Sequence, residues 1–375
     1  MRLLYITNSR MPTEKAHGLQ IAKTIEALVR AGCTVRLLIP SRKNHIKTNI
    51  ADFYNIQDGL MSIARVPDVV RLLQYVSESL YFPLQRVWFA LVAFFCGLFW
   101  RGTVYSRDIT ASFLLALAGK QIVYEDHQPK SRFKELYEFF LKRIPKKVVV
   151  ARGLVDEYRA MDIPEASYVC APNGVDIAEF DAVSRDASLW NREFGIKPGM
   201  PVALYVGHFY SWKGVYTIVD AAKDIRAAVV LIGGTKEDYA KVAQYVKECS
   251  ISNTYLRSFT PHKEVIRFIK SADVLLLPNT AHEERSQKYT TPIKLFEYMA
   301  SGVPIVASSI ASFTPYLAHN KNALLCEPDS PDDLARSVNR VMRNPDQIKH
   351  LPRAARESVK QYTWDSRARM IMDFI

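Results

Sequence analysis

The feature of this sequence that most constrains its fold is a regular alternation of short apolar runs with segments of helical period. The run RLLYITN (residues 2–8) is followed by a helical-period segment, residues 18–32, and then by a second apolar run at 34–40. A strand, a helix and a second strand in this succession form a βαβ unit, whose two strands lie parallel in one sheet. A chain that repeats such units is an α/β protein.

The alternation occurs in two separate series. In the first series, further apolar runs predict strands at 103–106, 121–126, 147–152 and 168–173. In the second series, the same pattern predicts strands at 202–207, 228–234, 253–259, 273–278 and 303–308, with helices at 214–226, 236–249, 261–270 and 292–301. A chain of 375 residues is also longer than a single hydrophobic core usually serves.

These two series predict two doubly wound parallel-sheet domains of the Rossmann-like kind. We place the first at residues 1–178 and the second at 201–360, joined by a polar connection at 179–200 that ends in the breaker cluster KPGMP. Because ligands bind beyond the carboxyl ends of the strands in open parallel sheets, we expect the chemistry in a central cleft that both domains face.

The cysteines and the charge restrict the cellular setting. Five cysteines are scattered along the chain without a C-x-x-C pair, which indicates neither a disulfide framework nor a zinc site. Reduced thiols are typical of the cytoplasm, where we expect the protein. The net charge of +12 suits anionic partners in general, but no nucleic-acid recognition motif accompanies it.

Two segments bear on contact with a membrane. The apolar run Val87–Trp100 has 14 residues, whereas spanning a bilayer takes roughly 20, so we expect a buried helix there. The segment 130–147 combines basic residues with an apolar helical stripe, which core packing explains; attraction to anionic lipid is the alternative. A peripheral contact with the inner face of the cytoplasmic membrane therefore stays open.

The most informative segment is KYTTPIKLFEYMASGVPIVAS, residues 288–308. Thr291 can cap a helix and Pro292 suits the first helical position, so free N–H groups and the positive end of the helix dipole form a site for a diphosphate. Lys294 adds a full positive charge near that end. Glu297, on the second turn, is placed to accept hydrogen bonds from the ribose hydroxyls of a nucleotide. The plain alternative is an ordinary βαβ helix.

This segment contains P-x-K-L-F-E-Y-M-A-x-G-x-P-I-V and resembles the donor-binding helix of family 4 glycosyltransferases, retaining enzymes of the GT-B architecture (group 1 type). Glu297 matches the second Glu of their E-x7-E motif, which implies a catalytic and donor-binding role. Tyr289 stands where that motif has its first Glu. We expect backbone amides near Thr290, Thr291 and Ile293 to serve the sugar instead, and we count Tyr289 among the donor-binding positions.

A second segment, VGHFYSWKG (206–214), is similar to the V-G-R-x(n)-K-G segment of the same family, whose Arg and Lys neutralise the diphosphate of the donor. Gly207 and Lys213 match this pattern, and His208 replaces the Arg. Since a histidine is charged only part of the time near neutral pH, we expect Lys213 to carry more of the electrostatic load. The alternative is an exposed surface lysine.

The first domain contains two further candidate residues. Gly18 lies just before a predicted helix start, where the resemblance implies a close approach to donor and acceptor; an ordinary strand-to-helix loop is an equal alternative. The segments YSRD (105–108) and VYEDHQP (123–129) also resemble family segments. His127 falls where the family has a histidine near the sugar, which implies a catalytic role, although a lone histidine is more often structural.

The sequence contains no Asp-x-Asp and no cluster of His or Cys with ligand spacing, so it predicts neither a metal site nor a cofactor. Lys213, Lys294 and helix N-termini would instead stabilise the negative charge that develops on the leaving diphosphate. The resemblance implies retention of anomeric configuration by front-face attack. It also implies that residues 361–375 form a C-terminal helix that returns toward the N-terminal domain.

We therefore expect a glycosyltransferase that moves a sugar from a nucleoside diphosphate, most simply a UDP- or GDP-sugar, to a glycan or lipid-linked acceptor in cell-surface polysaccharide, lipopolysaccharide or glycolipid synthesis. Two alternatives accompany this expectation. A GT-B sugar-nucleotide epimerase would need additional acid and base carboxylates in the cleft. A degenerate paralogue would bind sugar nucleotide or a partner without turnover, as the departures at Tyr289 and His208 suggest.

Overall fold

The computed structural model describes residues 1–72, 77–127 and 133–375. Residues 128–132, which include the end of the 123–129 segment and the start of the basic segment 130–147, lie outside the described residues. The chain divides into two units, one formed by Met1–Pro172 with Trp364–Ile375 and the other by Asn173–Thr363. Each unit contains one parallel sheet with helices, so the prediction of two doubly wound α/β domains is confirmed.

The first unit contains a seven-stranded sheet in which every paired strand is parallel. Its strands are β1 (Arg2–Ile6), β2 (Thr34–Pro40), β3 (Met61–Val66), β4 (Thr103–Ser106), β5 (Ile122–Asp126), β6 (Lys146–Val149) and β7 (Tyr168–Cys170). The spatial order is β3-β2-β1-β4-β5-β6-β7. The order therefore reverses between β1 and β4, and ligands bind at such a switch point in open parallel sheets.

Six helices connect these strands within the described residues. They are α1 (Ala16–Arg30), α2 (Ile50–Tyr54), α3 (Glu78–Leu98), α4 (Ile109–Leu117), α5 (Lys134–Arg143) and α6 (Arg152–Ala160). Short 3-10 turns occur at Val69–Leu72 and Glu165–Ser167. The inner side of α3 packs into the sheet, since its Phe89 and Ala93 share a core cluster with Leu4 and Ile6 of β1.

Helix α3 corrects the expectation for the apolar run Val87–Trp100. The helix has 21 residues, because the segment before the run is helical as well and includes Pro83 within it. By length and composition its part Leu80–Leu98 would suffice to cross a membrane, and only 28% of that stretch is buried. The expectation of a short, buried helix was therefore wrong, although one side of α3 does pack on the core.

The second unit contains a six-stranded parallel sheet in the order β10-β9-β8-β11-β12-β13, which reverses between β8 and β11. Its strands are β8 (Val202–Val206), β9 (Ala228–Ile232), β10 (Thr254–Arg257), β11 (Val274–Leu277), β12 (Ile305–Ser308) and β13 (Leu324–Cys326). Successive residues of β8 enter different core clusters: Val202 and Leu204 join one, Ala203 and Tyr205 the other. Both faces of the sheet are therefore covered.

The helices of the second unit, within the described residues, are α7 (Ile177–Asp181), α8 (Leu189–Phe194), α9 (Val215–Ala222), α10 (Lys236–Glu248), α11 (His262–Ser271), α12 (Glu284–Gln287), α13 (Ile293–Ser301), α14 (Pro331–Arg343), α15 (Pro345–Ile348) and α16 (His350–Val359). Residues 179–200, for which the sequence suggested a connection, belong to this unit. Phe180 and Trp190 anchor them in its core.

The last helix, α17 (Trp364–Phe374), belongs to the first unit. It packs beside α1, where Arg30 forms an ion pair of 2.7 Å with Asp365. Its Arg367 is buried and donates to the carbonyl oxygen of Ala171. The first unit is thus assembled from both ends of the chain.

Candidate functional site

Two lysines of the second unit lie near the point where its strand order reverses. Lys213 ends a 3-10 turn, Ser211–Lys213, that follows β8, and its Nζ lies 3.9 Å from the centre of the Trp212 ring. Lys294 is the second residue of α13, and its Nζ lies 3.8 Å from the centre of the Tyr205 ring. The side chain of Lys294 is buried, and its ammonium makes no hydrogen bond within the described part of the chain.

The two ammonium groups affect each other. Burial, together with the charge of Arg285, lowers the pKa of Lys213 to about 7. Burial also lowers the pKa of Lys294 well below its usual range, with a further contribution from Lys213 that Glu297 opposes. Two neighbouring cations in a poorly hydrated place are costly when alone, and a bound anion would remove that cost. The arrangement is therefore suited to an anion.

Gly207 leaves room beside the Lys294 ammonium. It follows β8 with φ of 145°, a conformation that side chains disfavour. A Cβ atom placed there would lie 3.3 Å from Nζ of Lys294 and 3.3 Å from the hydroxyl of Tyr205. A glycine at this position thus keeps open the space in front of the buried cation.

The start of α13 differs by one residue from the sequence prediction. Helix α13 begins at Ile293, with Pro292 at the cap position and no side chain capping it, so Thr291 does not cap the helix. The reason is that Pro292 has an extended ψ of 139°. Thr291 is buried, and its carbonyl accepts a 2.6 Å hydrogen bond from Nδ2 of Asn173. The uncapped N–H groups at this end remain suited to a phosphate.

Glu297 lies one turn further along α13 and forms a close pair with a residue that the sequence did not reveal. Its Oε1 is 2.6 Å from Nε2 of His262, the first residue of α11. Both side chains are largely buried, with 8% of Glu297 and 17% of His262 exposed. The pair fixes the carboxylate at the helix face where the sequence predicted a ribose contact.

The segment before α13 shows what replaces the missing first Glu of the motif. Tyr289 is buried, and its hydroxyl lies 3.2 Å from Oε1 of Glu284 in α12. Thr290 follows it and is half-buried. Arg285, also in α12, lies 5.0 Å from the centre of the Trp212 ring that Lys213 also contacts. Arg285 is a candidate phosphate-binding residue that sequence reasoning missed.

His208 is held by its neighbours in the loop after β8. Its ring stacks on Tyr210 with a centre-to-centre distance of 5.0 Å, and Tyr210 in turn stacks on Trp212 at 6.2 Å. The carbonyl of His208 accepts a 2.8 Å hydrogen bond from the Tyr205 hydroxyl. This row of rings fixes the loop that carries Lys213.

In the first unit, His127 follows β5 and lies against a buried carboxylate. Its Nε2 is 2.5 Å from Oε1 of Glu125, whose side chain is fully buried. Burial and the charge of Arg107 lower the pKa of His127 to about 4, although Glu125 acts in the opposite direction. The ring is therefore neutral at pH 7. Because a carboxylate only accepts, Nε2 carries the hydrogen and Nδ1 keeps a free lone pair.

Glu125 is the centre of a polar network that the sequence did not reveal. It accepts a 2.8 Å hydrogen bond from Gln20 of α1, a hydrogen bond from Tyr105, and a 3.0 Å ion pair from Arg367 of α17. Burial acts to raise the pKa of the Glu125 carboxyl, but Arg367, His127 and Arg107 hold it well below its usual range. The network keeps an anion behind His127 and so fixes the orientation of its ring.

Gly18 lies within the first turn of α1, which begins two residues earlier than predicted. A Cβ atom at Gly18 would lie 2.0 Å from the hydroxyl of Tyr54 and 2.6 Å from Cγ2 of Thr13. The close packing of α1 against Tyr54 accounts for this glycine without a ligand. Its predicted role beside the donor stays a prediction.

The structure thus brings together Gly207, Lys213, Lys294 and Glu297 in the second unit, with Tyr289, Thr290, Thr291 and Ile293 leading into the same helix. His127 and Gly18 belong to the first unit, linked through Gln20 of α1 and its contact with Glu125. Among the residues that the structure describes, no group of three or more His, Cys, Asp or Glu side chains could hold a metal ion.

The family comparison concerns mainly the second unit. Residues 186–358 match the family model described as Glycosyl transferases group 1. Two uncharacterised glycosyltransferases of Methanocaldococcus jannaschii are 28% and 26% identical to this chain over 43% and 59% of its length. The chain spans about half the length of these relatives, 44% and 57%.

The structural comparison concerns the whole chain. The structure of Anabaena Alr3699/HepE in complex with UDP matches with a TM-score of 0.75 at 16% identity, covering 100% of this chain and 99% of that one. The same Anabaena protein has been solved with UDP-glucose. At this identity the likeness shows the fold, which is the GT-B fold. Residues 186–358 therefore resemble the group 1 glycosyl transferases, and the chain carries them on a GT-B scaffold of two parallel-sheet units.

Proposed function

We propose that this chain is a glycosyltransferase that binds a nucleoside-diphosphate sugar on its second unit and transfers the sugar to a glycan or lipid-linked acceptor. The observation that carries the proposal is the pair of neighbouring lysines, the half-buried Lys213 and the buried Lys294, beside the uncapped start of α13. A diphosphate is the anion that fits two adjacent ammonium groups and a helix N-terminus at once.

The other side chains of the site suit the remaining parts of such a donor. Glu297, fixed by His262 at 2.6 Å, is a hydrogen-bond acceptor for the ribose hydroxyls one helical turn from the phosphates. The sugar would lie near Tyr289, Thr290 and Thr291, whose backbone leads into α13. The UDP and UDP-glucose complexes of the Anabaena protein make UDP-sugars the first donors to test.

The proposed chemistry is departure of the nucleoside diphosphate with retention of configuration. Cleavage of the glycosyl–phosphate bond places negative charge on the diphosphate, and Lys213 and Lys294 are fixed in advance where that charge develops. His127 is neutral at pH 7, so its Nδ1 can accept a hydrogen bond from a substrate hydroxyl. We place the reaction in the cytoplasm, with a glycan or lipid-linked acceptor.

A second candidate function is binding of a sugar nucleotide without turnover. The observation that favours it is the buried Tyr289, whose hydroxyl contacts Glu284 at the position where the family motif has a carboxylate. This candidate predicts the same donor site and differs only in the absence of product.

The test is a thermal-shift screen with UDP-, GDP-, ADP- and dTDP-sugars on the wild type, Lys213→Ala and Glu297→Ala. We expect one nucleotide class to raise the unfolding temperature of the wild type and of neither variant. Lys321→Ala, which removes an exposed lysine of the same unit, is the matched control and should respond like the wild type. Absence of any shift with a folded wild-type protein would contradict the donor site.

Turnover is then measured with the donor that binds and a panel of glycan and lipid-linked acceptors. Formation of a glycosylated product with the anomeric configuration of the donor supports the transferase. Binding without product or donor hydrolysis across the panel would instead support the second candidate.

A further inference from the structure

An apolar stripe covers the outer side of α3. Leu84, Val87, Leu91 and Phe95 follow one another at spacings of three or four residues, which places them on one side of a helix, and all four are exposed. Phe82, 62% exposed, and Phe99, 80% exposed, lie near its two ends. The solvent side of a helix in a soluble protein is normally polar, so this exposed apolar stripe indicates an interaction surface.

The stripe continues over the neighbouring helices. Gly97 of α3 lets α4 approach so closely that a Cβ atom there would lie 2.7 Å from Cδ1 of Leu115. Phe113 of α4 in turn stacks on Phe140 of α5 at 4.1 Å, and Phe139 of α5 is 43% exposed. We call the outer surface of α3, α4 and α5 the apolar face. It is too extended to be a chance exposure of single residues.

Basic groups accompany the apolar face. Arg86 and Arg101 bracket the apolar run of α3, and no acidic residue lies between them in the sequence. Arg86 and Arg101 are exposed at α3, and Arg143 of α5 lies with its guanidinium 3.5 Å from the centre of the Phe139 ring. An apolar surface edged by cations matches the boundary of an anionic bilayer, where acyl chains lie beneath negatively charged headgroups.

We propose that the apolar face docks the first unit onto an anionic membrane surface, with α3 lying in the plane of the interface. The packing of the opposite side of α3 is incompatible with a transmembrane orientation. Phe89 and Ala93 are buried in the core of the sheet, and Gly97 is packed on α4. A helix that crossed the bilayer would have to leave these contacts, whereas a helix in the interface keeps them.

The arginines beside the apolar face also favour a membrane over a second copy of the chain as its partner. A symmetric contact between two apolar faces would bring the arginines of each copy toward those of the other, which is unfavourable. Anionic headgroups neutralise the same arginines. The docking proposal does not depend on transferase activity, so the two can fail separately.

The experiment is flotation of the full chain with vesicles of phosphatidylcholine alone or with about one-third phosphatidylglycerol. We expect binding to the anionic vesicles and little to the neutral ones. The double variant Leu91→Glu with Phe95→Glu should bind at least about tenfold more weakly, because it places two charges in the apolar stripe. Arg86→Gln and Arg101→Gln should each lower binding about fivefold at low salt.

Phe259→Glu is the matched control, since Phe259 is an exposed phenylalanine of the second unit, 44% exposed. It should bind vesicles like the wild type. All variants should keep the wild-type unfolding temperature, because the replaced side chains are exposed. The proposal would be overturned if the wild type did not bind anionic vesicles, or if the double variant bound them as strongly as the wild type. Concentration-dependent dimers that the double variant abolishes, without vesicle binding, would assign the face to a second copy.

Discussion

The positive charge of Lys213 should lower the stability of the ligand-free protein. An ordinary lysine has a pKa of about 10.5 and the folded protein lowers that of Lys213 to about 7. The unfolded chain therefore binds a proton more tightly than the folded one, so stability rises with pH over this range. At about 1.4 kcal/mol for each tenfold change in proton affinity, the charge costs about 4 kcal/mol at pH 7 and about 2 kcal/mol at pH 9.

We therefore expect Lys213→Met to stabilise the ligand-free protein. Methionine keeps the packing of the aliphatic stem but loses the contact of the ammonium with the Trp212 ring, which is worth about 0.5–1 kcal/mol. Since local hydration reduces the cost of the charge, we expect a net gain of about 2 kcal/mol at pH 7. For a unit of this size that gain raises the unfolding temperature by about 4–8 °C.

The assay is scanning calorimetry of the wild type and Lys213→Met at pH 7 and pH 9, with and without the nucleotide sugar that binds. The advantage of the variant should shrink at pH 9, and the ligand should no longer stabilise it. Lys321→Met, at an exposed lysine, should match the wild type at both pH values. A variant that is less stable than the wild type at pH 7, or an advantage that grows with pH, would refute the reasoning.

Three further predictions follow from the same contacts. A bound diphosphate should raise the depressed pKa of Lys213, so donor binding should take up protons and weaken as the pH rises above 7. Calorimetric titration in buffers of different ionisation enthalpy measures this proton uptake. A donor affinity that does not change from pH 7 to pH 9 would contradict it. Arg367→Met should lower the free energy of unfolding by about 3–5 kcal/mol, because it removes the closest cation from the buried Glu125 carboxylate. The exposed Arg369→Met should be neutral in urea unfolding, and equal effects of the two variants would rule out a special role for the ion pair. Gly207→Ala should lower the free energy of unfolding by about 1–3 kcal/mol, because the backbone there has a φ of 145° that alanine disfavours. It should also weaken donor binding by crowding Lys294, and thermal shift measures both effects. An unchanged ligand response would show that the donor does not use the space in front of that lysine.

The strands that the sequence predicted well are the buried central ones. β8 and β9 are continuous apolar runs because helices cover both faces of their sheet. β3 was missed because it lies at the edge of the first sheet, where five of its six positions are half-buried or exposed and Ser62 and Arg65 interrupt the apolar pattern. β13 has three residues, too few for any periodicity to be recognised.

The candidate site was predictable where its residues follow one another in a motif. Lys294 and Glu297 lie on one helix, so their spacing alone places them on neighbouring turns. His262 and Arg285 were missed because each is a single polar residue outside the two motifs. Only the packing of α11 brings His262 to Glu297, and only that of α12 brings Arg285 to Trp212. The start of α13 was predicted one residue too early. Threonine is a common cap residue and proline a common first helical residue, but in the structure Pro292 is the cap and the helix begins at Ile293.

The position of α17 has a consequence for synthesis on the ribosome. The second unit is one continuous stretch, Asn173–Thr363, and can fold as soon as it has emerged. The first unit begins to emerge much earlier, but its buried Glu125 lacks the closer of its two guanidinium partners until Arg367, near the end of the chain, is translated. The half of the protein that is made first is therefore finished last, and a nascent chain completes its second unit before the surroundings of His127.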